Sequence, residues 1–131
     1  MRILVADDDG VSRRVLGKML SPWGDVDFAA DGMEVLTRFK DARAEGKPFS
    51  LLCLDINMPR LDGQQTVELI REMEREGELR TVVFMVSADS TPTNVIHAKV
   101  KGHCAAFLVK PIDKDRLFDA LVDAALVEPP S

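Results

Sequence analysis

The chain has 131 residues, 46% of them hydrophobic and 30% charged, with a formal net charge of −5 at pH 7. That length suits one domain with a single sizeable core, and the acidic balance speaks against a basic face for direct nucleic-acid binding while being compatible with a divalent cation. No apolar run is long enough to cross a bilayer. One Arg and four apolar residues before Asp7 do not make a signal peptide. Cys53 and Cys104 lie in apolar sequence without metal-ligand spacing, so reduced core thiols in a cytoplasmic protein are expected.

Ile3-Leu4-Val5-Ala6 is a short apolar run, predicted to be strand one, and it ends in Asp7-Asp8-Asp9-Gly10. Val11, Val15, Leu16, Met19 and Leu20 then recur at helical spacing, which predicts an amphipathic helix that stops near Pro22 and Gly24. Residues 25–30 form a weaker second strand. Asp31-Gly32 turns into a helix carrying Val35, Leu36, Phe39 and Ala42, ended by residues 44–48.

Leu51-Leu52-Cys53-Leu54-Asp55 is the third strand, too short and too uniformly apolar for a helix. Pro59 and Asp62-Gly63 force the chain out of it. Asp55 therefore falls at the carboxyl end of a central strand, where open α/β sheets place their ligands. A third helix starts at Gln64 with Val67, Ile70 and Met73 inward, and stops at Gly77. Val82–Val86 is strand four, followed by Ser87. A fourth helix is expected over about Pro92–Lys101, with Pro at its first position and a thin apolar face of Val95, Ile96 and Val100. Ala105–Val109 is strand five, ending in Lys110-Pro111. Asp113 caps a last helix with Leu117, Leu121 and Ala125 on one face. The domain is expected to cover residues 1–127, with 128–131 a tail or the start of a linker.

Five strands alternating with helices predict an α/β three-layer domain around a parallel sheet with right-handed crossovers. The strand ends then bring Asp7, Asp8, Asp55, Ser87 and Lys110 to one edge. Taken singly, each has an ordinary role: a turn or cap for the aspartates, a turn hydroxyl for Ser87, a surface cation in Lys110. Their order at four strand ends carries the functional reading. Two carboxylates about 4 Å apart repel by roughly 4 kcal/mol at an effective dielectric near 20, so the cluster must protonate or take a cation. Oxygen donors on a small site favour Mg²⁺, with Mn²⁺ as a substitute. Lys110 and Ser87 are then placed to hold phosphoryl oxygens, and Asp55 to attack phosphorus as a carboxylate nucleophile.

The motifs Ile3-Leu4-Val5-Ala6-Asp7-Asp8-Asp9, Leu54-Asp55-Ile56-Asn57-Met58-Pro59 with Leu61-Asp62-Gly63, Val86-Ser87-Ala88 and Phe107-Leu108-Val109-Lys110-Pro111 resemble those of response-regulator receiver domains. The resemblance spans residues 1 to about 127 and suggests a chemotaxis-type single-domain receiver of two-component signalling. It implies a flavodoxin-like (βα)5 fold with strand order 2-1-3-4-5. Asp55 would be phosphorylated by a sensor histidine kinase or a histidine phosphotransfer protein. Asp8, Asp55 and the Asn57 backbone carbonyl would ligate the metal directly, and Asp7 through a water. Ser87 and Lys110 would contact the phosphoryl group. Ser87 and Phe107 would form the switch, changing the surface of the fourth helix, fifth strand and fifth helix toward an unidentified downstream protein. Asn57 and Asp89 would tune dephosphorylation. Lys110-Pro111 would be cis.

The resemblance also implies a phosphoacceptor that assists its own phosphorylation and dephosphorylation rather than an enzyme, either monomeric or dimerising on phosphorylation. Membranes and nucleic acid are not expected partners. His103 stands where the family usually has Gly, and Phe107 where Tyr is common. His103 and His97 are read as surface residues. Four other readings stand beside this one. A degenerate receiver used only as an interaction surface would lack Asp55, Asp8 or Lys110, and all three are present. A receiver fragment of a larger regulator or hybrid kinase is an alternative that the Pro129-Pro130 tail permits. A Mg²⁺-dependent aspartyl phosphatase of the haloacid-dehalogenase type would need its nucleophile first in the chain and a second Asp at position 57. A calcium loop at Asp7–Gly10 would put Val5 and Leu16 at ligand positions.

Overall fold

The computed structural model describes residues 1–74, 80–88 and 104–129. Within them the chain forms β1 (Arg2–Ala6), α1 (Gly10–Leu20), a 3₁₀ turn (Ser21–Trp23), β2 (Asp25–Ala29), α2 (Gly32–Ala44), β3 (Leu51–Asp55), α3 (Gly63–Met73), β4 (Val82–Ser87), β5 (Ala106–Val109) and a C-terminal helix (Lys114–Asp123). The strands make one sheet in the order β2-β1-β3-β4-β5, every pair parallel. This is the expected three-layer, flavodoxin-like arrangement. The expected helix at Pro92–Lys101, together with Asp89, His97 and His103, lies outside the described residues.

Side-chain alternation along the strands sorts the core into two layers. Leu4, Leu52, Leu54, Val83 and Met85 point to the face covered by Val35, Phe39 and Ala42 of α2 and Val67 and Ile70 of α3. Ile3, Val5, Leu51, Cys53, Phe84 and Val86 point to the opposite face, covered by Leu16 and Leu20 of α1 and Leu117 and Leu121 of the C-terminal helix. Parallel pairing calls for crossover connections, which α1, α2 and α3 supply between β1 and β4, and two covered faces explain why β3 is buried at all five positions. Each fully buried Leu, Ile or Phe contributes about 1.5–3 kcal/mol of transfer free energy.

The helix starts are set by side chains. Asp9 caps α1, Asp31 caps α2, and Asp113 caps the C-terminal helix. Asp62 and Gln65 form a reciprocal capping box at α3. Two expectations shift in detail. Val11 and Val15 belong to the helical repeat of α1 but remain 59% and 54% exposed, because the buried stripe runs through Leu16, Gly17 and Leu20. Ser87 is the last residue of β4 rather than the first of a loop, since its register partner is Val109. Among the described residues no helix is long and apolar enough to cross a membrane.

Candidate functional site

The sheet ladder places the site one residue at a time. In register, Ala6 pairs with Leu54, Asp55 with Val86, and Ser87 with Val109. The ladder then runs one step past three strands. Asp7 N–H donates to Ala29 O at 3.1 Å, Ile56 N–H to Val86 O at 2.9 Å, and Lys110 N–H to Ser87 O at 2.8 Å. Asp7, Asp55, Ser87 and Lys110 thus reach the same edge with their backbones already fixed. Gly63 lets the chain turn close beneath them: a Cβ there would lie 2.6 Å from the Asp55 carbonyl oxygen.

The two buried carboxylates are held in the same way. One oxygen of each accepts a backbone N–H two residues ahead: Asp9 N to Asp7 Oδ1 at 2.9 Å, Asn57 N to Asp55 Oδ1 at 3.0 Å. The other oxygen of each accepts from Lys110, whose Nζ lies 2.6 Å from Asp7 Oδ2 and 3.0 Å from Asp55 Oδ2. Asp8 is exposed at the rim, and Asp7, Asp8 and Asp55 each offer an oxygen within 4.8 Å of the others. Arg13 steadies this corner by donating from Nη1 to the Asp7 carbonyl at 2.7 Å. Asp9 turns away to cap α1, accepting from Val11 N and Ser12 Oγ, both at 3.0 Å.

One ammonium among three carboxylates leaves net negative charge, and the protonation equilibria reflect it. The Asp55 pKa is raised. Burial is the main cause and the Asp7 charge adds to it, and together they outweigh the Asn57 N–H and Lys110. Burial is also the largest single influence on Lys110 and pulls its pKa down, but bonds to Asp7 and Asp55 carry it above the ordinary lysine value. Burial opposes the charge on both groups, and Lys110 overcomes it because two carboxylates face its one ammonium. Cys53, two residues before Asp55 on β3, has its thiol pushed up to about 12 by burial and supplies no nucleophile at neutral pH. The cluster is a set of hard oxygen donors with excess negative charge, which fits a Mg²⁺ ion.

Of the residues singled out in the sequence, Asp7, Asp8, Asp55 and Lys110 meet in one cluster. Ser87 is fully buried at the end of β4, with its carbonyl tied to Lys110 N–H. Asn57 touches Asp55 through its N–H. Phe107 is half-buried and packs against the layer formed with α2 and α3, on the sheet face opposite the C-terminal helix. The Lys110–Pro111 bond is cis. Asp89 lies outside the described residues. The sequence reading missed Arg13, and it also missed an ion pair from Arg60 in the loop after β3 to Asp31 at the start of α2. Arg60 is at φ 67°, in the left-handed region. The partners stand 29 positions apart, and no local pattern would have found the pair.

Comparison with known proteins bears on this geometry. Residues 3–122 match the response regulator receiver domain family. The chain is 35% identical over 126 residues to the sensory/regulatory protein RpfC of Xanthomonas campestris pv. campestris, covering 96% of this chain and 17% of that protein. It is 36% identical over 118 residues to the response regulator MprA of Mycobacterium avium, covering 89% of this chain and 47% of that protein. It therefore spans less than half the length of these relatives. Among solved structures, a CheX–CheY complex from Borrelia burgdorferi containing BeF3 and Mg superposes with a TM-score of 0.82 at 25% identity, over 98% of this chain and 90% of the matched one. Chemotaxis protein CheY4 of Vibrio cholerae gives 0.76 at 28%, over 92% and 94%.

Proposed function

The chain belongs to the response regulator receiver family, whose members are signalling switches rather than classical enzymes, and from that premise we propose that Asp55 accepts a phosphoryl group from a histidine-containing donor. The observation that carries the assignment is Lys110 bridging two buried carboxylates beside a third. Family membership sets aside the phosphatase and calcium-loop alternatives. A single-domain receiver and a receiver unit of a larger regulator both fit, with residues 1–127 as the unit.

In this reading a carboxylate oxygen of Asp55 attacks phosphorus, the phosphorus–nitrogen bond of the donor breaks, and the imidazole leaves with its electron pair. An acyl phosphate results. The Asn57 N–H keeps the carboxylate oriented through Oδ1. Lys110 exchanges a carboxylate oxygen for a phosphoryl oxygen, which its short distances to both aspartates make a small movement. Asp8, Asp55 and the Asn57 carbonyl would hold Mg²⁺ directly and Asp7 through a water; the ion, when bound, offsets the charge of the incoming group.

The β4–β5 ladder supports a switch at Ser87 and Phe107. Ser87 and Lys110 are joined main chain to main chain, so a phosphoryl group that draws on both pulls the ends of two strands together. Phe107, three residues before Lys110 and only half-buried, has room to change its packing. An effector shifts such an equilibrium only by its differential contacts in the two states, and Ser87 and Lys110 supply them here. In this reading Asn57, whose N–H bonds Asp55, tunes the phosphoryl lifetime together with Asp89, which lies outside the described residues.

The donor is a histidine kinase or a histidine phosphotransfer protein, and exposed Val11 and Val15 support its docking. They border a cleft that runs to Asp7, Lys110 and Ile112, which suits an apolar helix face presented beside the acceptor. A cytoplasmic site of action agrees with two free thiols. The output is a protein contact or a phosphorylation-dependent dimer.

The test is incubation with phosphoramidate and Mg²⁺, read by intact mass. Wild type is expected to gain one phosphoryl group that hydroxylamine removes. Asp55→Asn is expected to gain none, and a phosphorylated Asp55→Asn sinks the assignment.

A further inference from the structure

The loop from Asp55 to Gly63 is anchored at both ends. Ile56 N–H bonds Val86 O at 2.9 Å, Gly63 N–H bonds Ile56 O at 2.9 Å, and the Asp62–Gln65 capping box fixes the exit. Its middle, Asn57 to Leu61, carries the carbonyl assigned to the metal. Met58 is buried there, and Pro59 and Leu61 share a backbone bond of 2.7 Å. At Arg60 the backbone takes a φ of 67°, which a residue with a long side chain adopts only where its surroundings require it.

Those surroundings come from the start of α2. The Arg60 guanidinium bonds Asp31 Oδ2, while Asp31 Oδ1 accepts Glu34 N–H at 2.9 Å as the helix cap. Beside it, Gly32 lies so close to the loop that a Cβ would come within 2.5 Å of Leu61 O. Asp31 is only 7% exposed, whereas the Arg60 side chain is 66% exposed. The fixed partner is thus the carboxylate, and Arg60 brings the loop to it. The Asp31 pKa is lowered, first by the Arg60 bond and then by the Glu34 N–H, so the carboxylate stays charged for this contact.

We propose that the Arg60–Asp31 pair is a positioning clasp that holds the loop after β3 so that the Asn57 carbonyl is pre-set for a divalent cation. The inference rests on the metal reading given above. Arg60 acts through the backbone; it is a positioning residue, not a ligand. Groups that orient a metal ligand typically change affinity by about 10-fold or more.

A charge effect and a positioning effect predict different signs. Removing a cation near a metal site strengthens cation binding, and removing an anion weakens it. Loss of a clasp weakens binding whichever partner is lost, and losing both does no further harm. Mg²⁺ affinity of the unphosphorylated protein is measured by calorimetry for wild type, Arg60→Ala, Arg60→Gly, Arg60→Lys, Asp31→Asn and the Arg60→Ala/Asp31→Asn double variant. Arg60→Gly relieves the backbone and removes the clasp, and Asp31→Asn keeps a cap oxygen.

The clasp predicts that Arg60→Ala, Arg60→Gly and Asp31→Asn each weaken Mg²⁺ by about 10-fold, that the double variant matches the singles, and that Arg60→Lys recovers part of the loss. Amide exchange at Asn57–Leu61 is expected to quicken in the same variants without metal. Unchanged affinity in Arg60→Ala, or opposite shifts for Arg60→Ala and Asp31→Asn, overturns the clasp. A wild-type chain that does not bind Mg²⁺ overturns the metal reading itself, and the clasp with it.

Discussion

Among the described residues, the two ends of the sheet treat their charged groups differently. At the amino end, cations are matched on the spot. Arg2 reaches Asp27 and Glu45 at 3.4 and 3.2 Å, the Lys47 carbonyl at 2.9 Å, and lies 4.8 Å above the Phe49 ring. Arg71 binds Glu74 at 2.7 Å and the Thr81 carbonyl at 2.8 Å, and Glu74 also takes Thr81 N–H at 2.7 Å. At the carboxyl end, Asp7 and Asp55 share Lys110 with Asp8 beside them, and Asp55 still has a raised pKa. One end is complete by itself. The other keeps an excess of negative charge, which suits the proposed cation site. The difference separates groups whose loss costs stability from groups whose loss costs function.

The largest test of that division is at the amino end. Arg71→Ala leaves the mostly buried Glu74 without its cation, and urea unfolding is expected to show a loss of about 3 kcal/mol with Mg²⁺ affinity unchanged. A change in metal binding would mean that the two ends are not separate. Next comes metal itself. At free Mg²⁺ near 100 times Kd, wild type is expected to gain about 2.7 kcal/mol over its value in EDTA. Asp8→Ala and Asp55→Asn are expected to gain far less, and an equal gain in Asp8→Ala would remove it from the ligand set.

The smallest effect is in the pH dependence, and its sign is the point. A carboxyl whose folded pKa is raised, as for Asp55, contributes stability below the unfolded value and loses it as pH rises through the folded one. A carboxyl whose folded pKa is lowered, as for Asp31, contributes above the unfolded value and loses it as pH falls through the folded one. In metal-free buffer Asp55→Asn is therefore expected to be more stable than wild type at neutral pH, and Asp31→Asn less stable. Both margins should shrink on acidification. Margins of the same sign in urea titrations at pH 7 and pH 4 would show that the two carboxylates are not held differently.

Most of the fold was legible because it is written in periodic apolar runs. β3 reads as buried from five residues alone, and its terminal Asp follows from Pro59 and Gly63. The cluster was legible because strand ends in a parallel sheet share an edge, so order along the chain becomes proximity in space. What escaped depends on distance without pattern. The repeat in α1 includes Val11 and Val15, and nothing in periodicity distinguishes a covered valine from one left at the rim of a cleft. Arg60 and Asp31 meet only because α2 and α3 are neighbours across one face, a tertiary fact with no local signal. Arg13 reads as a solvent-facing charge until the Asp7 carbonyl is seen within its reach.

The bond between Lys110 and Asp7 joins residues 103 positions apart in the chain. Contacts so distant in sequence bear the highest loop-closure entropy and favour late formation. A nascent chain that has built β1, β3 and β4 but not β5 holds its acidic pocket without its lysine. In the proposed reading, competence to receive a phosphoryl group thus arrives with β5, and the site doubles as a report that the five-stranded sheet has formed.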